Sequence, residues 1–295
     1  MSRPTPGAAF RAIHAAAKPL LTPLAHDALS ARLIQRAGFK AFNIGGSSLL
    51  AARHALPDLG LAALGEMVAG LRDILDATPL PCLVDADDGY GDVKSVVHTI
   101  QSYERIGAAG ALLEDQLRTG KQPGANAARG VAPLEVIEQK LKAAMAARHD
   151  RDFVIIARTD AAGAEGLDEA LRRGERFLKL GADGVFVAGL RTPEEFARVG
   201  GAFKGSWNAG VMFEGGRTPW IAPAELYAMG FSQVSYPNSL ILRVAQSMDD
   251  ALRRLAELAA GREARLGADA DELGFAALEE AVALRRWGDI EREFS

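Results

Sequence analysis

Short apolar segments alternate with longer amphipathic segments along almost the whole chain. The short segments are bounded by Gly or Pro and predict strands, whereas the longer ones repeat apolar residues at helical spacing. The predicted strands cover Leu20–Ala25, Ala41–Gly46, Pro81–Asp87, Gly110–Gln116, Phe153–Asp160, Gly184–Gly189, Gly205–Met212 and Gln233–Tyr236. The helices that follow them cover Asp27–Ala37, Leu61–Leu75, Val93–Ile106, Leu134–Arg148, Leu167–Leu180, Pro193–Val199, Pro223–Met229 and Leu240–Ala259.

This alternation predicts an α/β protein with a closed parallel sheet. The strands are nearly all apolar, which is typical of parallel strands covered on both faces. Eight strand–helix units in about 240 residues predict a (β/α)₈ TIM barrel. A doubly wound open sheet is the alternative, but no Gly-x-Gly-x-x-Gly follows the first strand, which disfavours it.

Both ends of the chain extend beyond the eight units. We treat residues 1–295 as one barrel domain and residues 262–295 as its C-terminal helical extension. The apolar residues of the extension recur at helical spacing, namely Leu273, Ala277, Ala281 and Leu284. Such a helix has to bury its apolar face, so we expect it to pack on its own barrel or to swap onto a partner subunit.

The N-terminal segment has two interpretations. Three basic residues precede the first acidic one, Asp27, and this pattern occurs in transit peptides. The interpretation that we favour is an additional N-terminal helix with Ala8, Ile13 and Ala17 on one side.

Composition excludes several classes of partner. The formal net charge is −4 and no basic footprint is present, so we expect no nucleic-acid partner. No apolar run approaches ~18 residues, so we expect no membrane partner. The single cysteine, Cys82, cannot form an internal disulfide, which fits a reducing, cytoplasmic location. Because Cys82 lies inside an apolar strand, we interpret it as a core residue and not as a nucleophile.

Acidic residues follow two neighbouring predicted strands. Asp85 and Asp87 lie two positions apart near the end of strand three and can face the same side, and Glu114 lies near the end of strand four. Carboxylates that converge repel one another unless a cation lies between them. Mg²⁺ is held by one or two carboxylates while keeping several waters. We therefore predict a Mg²⁺ site, with Mn²⁺ able to substitute; the alternative is that these acids cap helices or pair with Arg158.

Two further strand ends suggest a binding site for a carboxylate. Gly45, Gly46 and Ser47 present backbone N–H groups at a junction between a loop and a helix, an arrangement suited to anions. Arg158 ends strand five and is a natural bidentate partner for a carboxylate. An ion pair of Arg158 with Glu114 or Asp85 is an equally good interpretation at this stage.

Taken together, these motifs resemble the isocitrate lyase/phosphoenolpyruvate mutase superfamily. The matching segments are His26–Ala31, Leu56–Gly60, Val84–Asp87 with Gly89–Gly91, Leu113–Gln116, Phe153–Asp160, Gly166–Ala170 and Glu214–Trp220. The resemblance covers about residues 10 to 260. It implies a Mg²⁺-dependent barrel enzyme that acts on small 2-oxo or 2-hydroxy carboxylic acids and stabilises an enolate.

The resemblance also implies roles for individual residues. By position, Asp85 matches the direct metal ligand, Asp87 and Glu114 match acids that hold the waters of the metal, and Asp58 matches an acid on a loop near the site. The clamp for the substrate carboxylate corresponds to Arg158 and the Gly46–Ser47 backbone. Members of the superfamily are commonly homotetramers, so we expect a homo-oligomer here.

Several positions depart from the carbon–carbon lyases of the superfamily. Their loop after strand four carries a catalytic Cys, but the corresponding Leu117–Asn126 contains neither Cys nor His. Their Glu after strand six is absent from Val187–Gly189, and their Asn falls on Val211, although Asn208 is near. The His expected of the decarboxylase branch is replaced within Tyr236–Asn238, which looks lyase-like.

These departures favour decarboxylation of a 2-oxo acid, of which oxaloacetate is the simplest. Decarboxylation requires stabilisation of an enolate but no general base to begin it. We predict Asp58, Arg158 and Tyr236 as catalytic residues, and Gly45, Gly46, Ser47, Arg158 and Asn208 as the substrate-binding set. One alternative is phosphonomutase chemistry with Asn126 acting from the loop. Another is a non-catalytic metabolite-binding homologue, which three retained acids disfavour.

Overall fold

The structure is a computed structural model that describes residues 4–118, 130–216, 218–263 and 274–295. Its strands are β1 Leu20–Ala25, β2 Phe42–Ile44, β3 Cys82–Asp85, β4 Gly110–Glu114, β5 Val154–Thr159, β6 Gly184–Val187, β7 Trp207–Val211 and β8 Gln233–Tyr236. Each strand pairs in parallel with the next, and β8 pairs with β1, so the sheet closes into a barrel. The predicted (β/α)₈ fold is confirmed.

Helices surround the barrel and extend both ends of the chain. They are α1 Pro6–Ala16, α2 Ala28–Arg36, α3 Gly46–His54, α4 Leu64–Leu75, α5 Val93–Arg105, α6 Leu134–Ala147, α7 Ala161–Ala164, α8 Leu167–Leu180, α9 Pro193–Ala202, α10 Pro223–Met229, α11 Ser239–Ala259, α12 Phe275–Ala281 and α13 Leu284–Phe294. Each strand-following helix predicted from the sequence is present. Two helices lie outside the predicted helix ranges: α3, whose start at Gly45 and Gly46 also fits a turn, and α7, which has only four residues.

The start of α2 shows how one of the sequence motifs folds. Asp27 accepts a hydrogen bond from the backbone N–H of Ser30 at 2.7 Å, and the Ser30 hydroxyl accepts one from the Asp27 N–H at 3.1 Å. This reciprocal capping box satisfies two N–H groups that the first helical turn leaves without partners. The segment His26–Ala31 is therefore a helix start immediately after β1.

The N-terminal helix α1 closes the end of the barrel opposite the strand carboxyl ends. Phe10 is fully buried, and the rings of Phe10 and His14 stack on Trp207, the first residue of β7. A Cβ at Gly7 would lie 2.4 Å from the carbonyl oxygen of Asp152, so only glycine permits this approach. The structure thus confirms the expected N-terminal helix, with Gly7 and Phe10 as its buried residues.

The expected C-terminal helical extension is present as two helices, and the predicted apolar pattern runs from one into the other. They are separated near Ala283, which adopts a left-handed backbone with φ 56°. The first of them, α12, packs on α2 of its own barrel, where Arg36 donates to the Ala277 carbonyl at 2.9 Å. Leu273, the first residue of the predicted pattern, lies outside the described residues. No helix in the described ranges has the length and apolarity needed to span a membrane.

Candidate active site

A cavity of about 1110 Å³ opens where the strands end, the location of active sites in barrels of this class. Its described lining contains five titratable side chains: Asp58, Asp85, Asp160, Arg158 and Arg191. Three of these five were predicted from the sequence. The cavity is therefore the candidate site at which Asp58, Asp85 and Arg158 meet.

Asp85 and Asp87 face the same small space beside Gly46. A Cβ at Gly46 would lie 3.6 Å from Oδ2 of Asp85 and 3.9 Å from Oδ1 of Asp87. The backbone N–H of Asp87 donates to Asp85 Oδ1 at 3.1 Å, and that of Gly46 donates to Asp85 Oδ2 at 3.3 Å. Asp87 lies just beyond the end of β3 with φ 45°, so a turn, and not the predicted continuation of the strand, brings it back towards Asp85.

These two carboxylates fit a hydrated Mg²⁺, which requires only one or two protein ligands. Three acids do not form a direct ligand set: within the described ranges, no group of three or more His, Cys, Asp or Glu side chains is arranged to hold a metal. The carboxylate of the predicted third acid, Glu114, instead lies 2.8 Å from Arg158. Its backbone N–H is bonded to the Asp87 carbonyl at 2.8 Å, which keeps β4 close to the acidic turn.

Arg158 is held between two carboxylates. Its Nε lies 2.8 Å from Oδ2 of Asp160, its Nη2 donates to Oδ1 of Asp160 at 3.0 Å, and its Nη1 lies 2.8 Å from Oε2 of Glu114. Burial acts to lower the pKa of Arg158, but Asp160, Glu114 and Asp85 raise it, and the net pKa is well above its usual value. Nη1 and Nη2 each carry a second N–H, so a permanently charged group retains two donors for a substrate carboxylate.

The partner Asp160 is a residue that the sequence reasoning did not assign. The signal was present, because Asp160 follows Arg158 by two positions and β5 alternates sides with that period. The expected ion pair of Arg158 with Glu114 is present. Arg158 also lines the cavity, so its role as a clamp for a substrate carboxylate stays a prediction beside this ion pair.

A second buried hydrogen-bond network, centred on Asp115, holds the backbone of Asp160 in place. Asp115 accepts hydrogen bonds from the backbone N–H of Asp160 at 2.9 Å, from the Thr159 hydroxyl at 2.7 Å and from Arg173 at 3.1 Å. Burial is the main cause of the raised pKa of Asp115. Arg173 also donates to the Ala132 carbonyl at 2.8 Å, so the network joins the β4 and β5 ends to α8.

The helix α3 directs its N-terminus at the cavity. Gly45 is its N-cap, and Gly45 and Ser47 line the cavity directly. The first N–H groups of a helix have no partners within it, so they are donors for an anion. The structure thus brings Gly45, Gly46 and Ser47 next to Asp85, and their role in binding substrate stays a prediction.

The floor of the cavity is a closed hydrogen-bond network. Asn43 donates to the Ser235 hydroxyl at 3.0 Å, and Ser235 is 2.8 Å from the Thr22 hydroxyl. Gln233 donates to Thr22 at 3.2 Å and accepts from the Trp207 indole N–H at 2.8 Å. These side chains are rigid polar contacts at the base of the site, and the sequence reasoning passed over them because single polar residues in apolar strands carry no motif.

The other side of the cavity is apolar. Phe186, Ala188, Leu190, Val211 and Phe213 line it, on and after β6 and β7. Ala188 and Val211 occupy the region in which the superfamily lyases were expected to carry Glu and Asn. The cavity therefore has a charged half formed by β2 to β5 and a half formed by β6 and β7 that, apart from Arg191, is apolar.

Two predicted residues are not brought to the cavity. Gln233 and Ser235 of β8 face inward, so alternation turns Tyr236 outward, where its ring packs 5.9 Å from that of Trp220. Asn208 is fully buried, is absent from the described lining and donates to the Gly230 carbonyl at 3.3 Å. Both side chains therefore lie apart from the described cavity lining, and their expected roles stay predictions.

Cys82 lies on β3 away from the cavity. It is fully buried among outward-facing core side chains, and burial raises the pKa of its thiol well above the usual value. A protonated, inaccessible thiol has no nucleophilic use. Asn126, the loop residue of the phosphonomutase alternative, lies outside the described residues, as does Arg217.

Comparisons with known proteins identify relatives of this chain. The family model for phosphoenolpyruvate phosphomutase matches residues 10–256. The chain is 37% identical over 243 residues to 2,3-dimethylmalate lyase of Eubacterium barkeri, a match covering 82% of this chain and 83% of the relative. Among solved structures, it is similar to an oxaloacetate acetylhydrolase in complex with 3,3-difluorooxalacetate, with TM-score 0.89, 28% identity and coverage of 98% and 97%. It is also similar to a phosphonopyruvate hydrolase in complex with oxalate and Mg²⁺, with TM-score 0.83, 27% identity and coverage of 99% of both chains.

Proposed function

Because the chain belongs to the phosphoenolpyruvate phosphomutase family of the isocitrate lyase/phosphoenolpyruvate mutase superfamily, we propose that it is a Mg²⁺-dependent carbon–carbon lyase that decarboxylates a small 2-oxo acid such as oxaloacetate. The observation that carries the proposal is the division of the cavity. The half formed by β2 to β5 can bind a carboxylate. In the half formed by β6 and β7, the only titratable side chain among the described lining residues is Arg191, at the rim.

The charged half accounts for binding of the 2-oxo acid end. The two remaining N–H groups of Arg158 and the N–H groups of the first turn of α3 bind the carboxylate of carbon 1, except that of Gly46, which already donates to Asp85. Asp85 and Asp87 would hold Mg²⁺, which when bound would offset the negative charge that develops on the 2-oxo oxygen. The nearby carboxylates of Asp160 and Glu114 keep Arg158 in one orientation.

The apolar half accounts for loss of carbon dioxide. A carboxylate on carbon 4 of oxaloacetate lies near Ala188 and Val211. An ion is poorly solvated there, whereas neutral carbon dioxide carries no such cost. When the bond between carbons 3 and 4 breaks, its electron pair moves towards the 2-oxo oxygen, and a proton from water later returns to carbon 3. No protein base is needed to begin the reaction.

The lyase reaction on a 2-hydroxy acid makes different demands. Cleavage of isocitrate requires removal of a hydroxyl proton and protonation of the departing carbon. Each proton transfer by a positioned group typically contributes ~10²–10⁴-fold. The described lining has no Cys, His or Glu to serve either step.

The experiment is a paired assay of oxaloacetate and of isocitrate or 2-methylisocitrate. We expect Mg²⁺-dependent pyruvate release from oxaloacetate that exceeds the rate with metal alone and disappears in excess EDTA. We expect negligible glyoxylate release from isocitrate and negligible pyruvate release from 2-methylisocitrate. Rapid cleavage of either 2-hydroxy acid, with oxaloacetate no faster than the metal-only background, would contradict the assignment.

The proposal includes a homotetramer, which the outer surface supports. None of the 21 residues of α11 is buried, although Met248 and Leu252 are apolar and 59% and 61% exposed. Phe275 and Phe294 of the extension are each 80% exposed. Apolar surface of this extent usually marks a contact with another protein chain.

The mass in solution tests the assembly. Light scattering behind a sizing column should give about 125 kDa, four times the 31.3 kDa of the chain. Replacing Met248 and Leu252 by Glu should lower this mass. A wild-type mass of about 31 kDa at micromolar concentration would contradict the tetramer.

A further inference from the structure

We propose that Arg118 is a positioning residue that holds the loop carrying Asp58 against the turn carrying Asp85 and Asp87. The inference rests on the proposed function, because these loops carry the acids of that site. Arg118 follows β4 by four residues and has a side chain that is 29% exposed. None of the motifs in the sequence marks it.

The guanidinium of Arg118 bridges two separate loops. Nη1 donates to the carbonyl oxygens of Gly60 and Ala62, each at 3.1 Å. Nη2 donates to Oδ1 of Asp88 at 3.2 Å and lies 3.9 Å from Oδ2 of Asp87. One side chain therefore joins the segment that follows Asp58 to the turn that follows Asp85.

A second line of contacts leads from Arg118 to the backbone of Asp85. The guanidinium carbon lies 5.1 Å from the ring centre of Tyr90. The Tyr90 hydroxyl is 3.2 Å from that of Tyr103, which donates to the Asp85 carbonyl at 3.1 Å. The ring on which Arg118 stacks is thus tied to the predicted metal ligand.

The surroundings of Arg118 fit an arginine side chain and not a lysine. A Cβ at Gly60 would lie 2.8 Å from Cγ of Arg118, so glycine, at φ +73°, leaves the passage for the side chain. Lysine has one terminal nitrogen and cannot reproduce a planar fork that reaches two carbonyls and a carboxylate. The Nζ of Lys140 donates to the Asp88 carbonyl at 2.7 Å, so the turn keeps this support when Arg118 is replaced.

The test compares Arg118→Ala with Gly60→Ala, which displaces the arginine without removing its charge. Arg176→Ala is the matched control, because Arg176 pairs with Glu138 on the outer helices. In metal-free protein, both test variants should show faster amide hydrogen exchange at residues 58–62 and 87–90, and the control should not. With oxaloacetate, Arg118→Ala should lower kcat by ~10²-fold and change KM by less than about threefold, since the carboxylate clamp is untouched.

Chemical rescue separates positioning from general stability. Added methylguanidinium should restore part of the kcat of Arg118→Ala, and methylammonium should not, because only the former supplies the planar fork. Wild-type exchange in both loops of Arg118→Ala, or wild-type kcat per folded enzyme, would overturn the proposal. If the wild-type protein turns over no 2-oxo acid, the proposed function fails, whereas the exchange measurement still decides whether Arg118 positions the loops.

Discussion

Replacing Asp85 with Ala is expected to lower turnover of oxaloacetate by about 10³-fold or more, the largest effect of any single substitution considered. Asp85 lines the cavity, shares the space beside Gly46 with Asp87, and accepts backbone hydrogen bonds from both of these residues. Its loss removes the principal candidate ligand and releases the two loops that it joins. Steady-state rates at saturating Mg²⁺ and far-ultraviolet circular dichroism measure the two consequences separately.

Two further variants accompany Asp85→Ala. Asp85→Asn is the isosteric test, and Asp73→Ala is the control. Asn keeps the shape of the side chain but lacks its charge, so we expect nearly the full loss of activity with a melting temperature closer to that of the wild type. Asp73 forms an exposed ion pair with Arg53 on the outer helices, and its removal should change neither quantity appreciably. Wild-type turnover by Asp85→Asn would exclude Asp85 as a metal ligand.

Arg158→Lys is expected to lower kcat/KM for oxaloacetate by about 10²-fold or more, mainly through KM. Lysine keeps the charge, but one nitrogen cannot contact Asp160 at two points, Glu114 at a third and the substrate as well. Because removing one partner of a buried ion pair typically costs ~3–5 kcal/mol, Lys is preferred to Ala as the replacement.

The control for this substitution is Arg176→Lys, in an exposed pair with Glu138. It should leave kcat/KM and the melting temperature unchanged. An unchanged KM in Arg158→Lys, measured on protein with normal circular dichroism, would mean that the substrate carboxylate binds elsewhere.

The barrel could be predicted because its signal repeats eight times. Apolar strands and amphipathic helices alternate with a regular period, so a wrong boundary in one unit does not change the fold. The helix α3 escaped prediction because Gly45 and Gly46 are poor helix residues whose placement depends on the neighbouring strands, a tertiary effect. The division of the extension near Ala283 likewise depends on a left-handed residue that no local pattern signals.

The site was predictable where strand alternation or strand ends determine position. Asp85 and Arg158 follow from this rule, and Asp58 from the family resemblance. Tyr236 did not reach the cavity, because β8 turns Ser235 inward and Tyr236 therefore outward. Arg118 could not have been foreseen, since its partners are backbone carbonyls of a loop distant in sequence.

The acids Asp85, Asp87 and Glu114 show what strand order alone does not determine. Strand order brought Glu114 near Asp85 and Asp87, but the orientation of its carboxylate depends on Arg158 from the next strand. A sequence shows which charged groups share one end of a barrel, and the pairing among them is decided by side-chain geometry.

The most direct test of the central claim is carbon-13 NMR of uniformly labelled oxaloacetate incubated with the protein and Mg²⁺. Decarboxylation breaks the bond between carbons 3 and 4 and gives pyruvate with carbon dioxide. Hydrolytic cleavage, the reaction named for the similar oxaloacetate acetylhydrolase, gives acetate and oxalate from the same substrate. We predict labelled pyruvate and bicarbonate, formed faster than with Mg²⁺ alone and lost in Asp85→Asn; labelled acetate and oxalate as the main products would contradict the account.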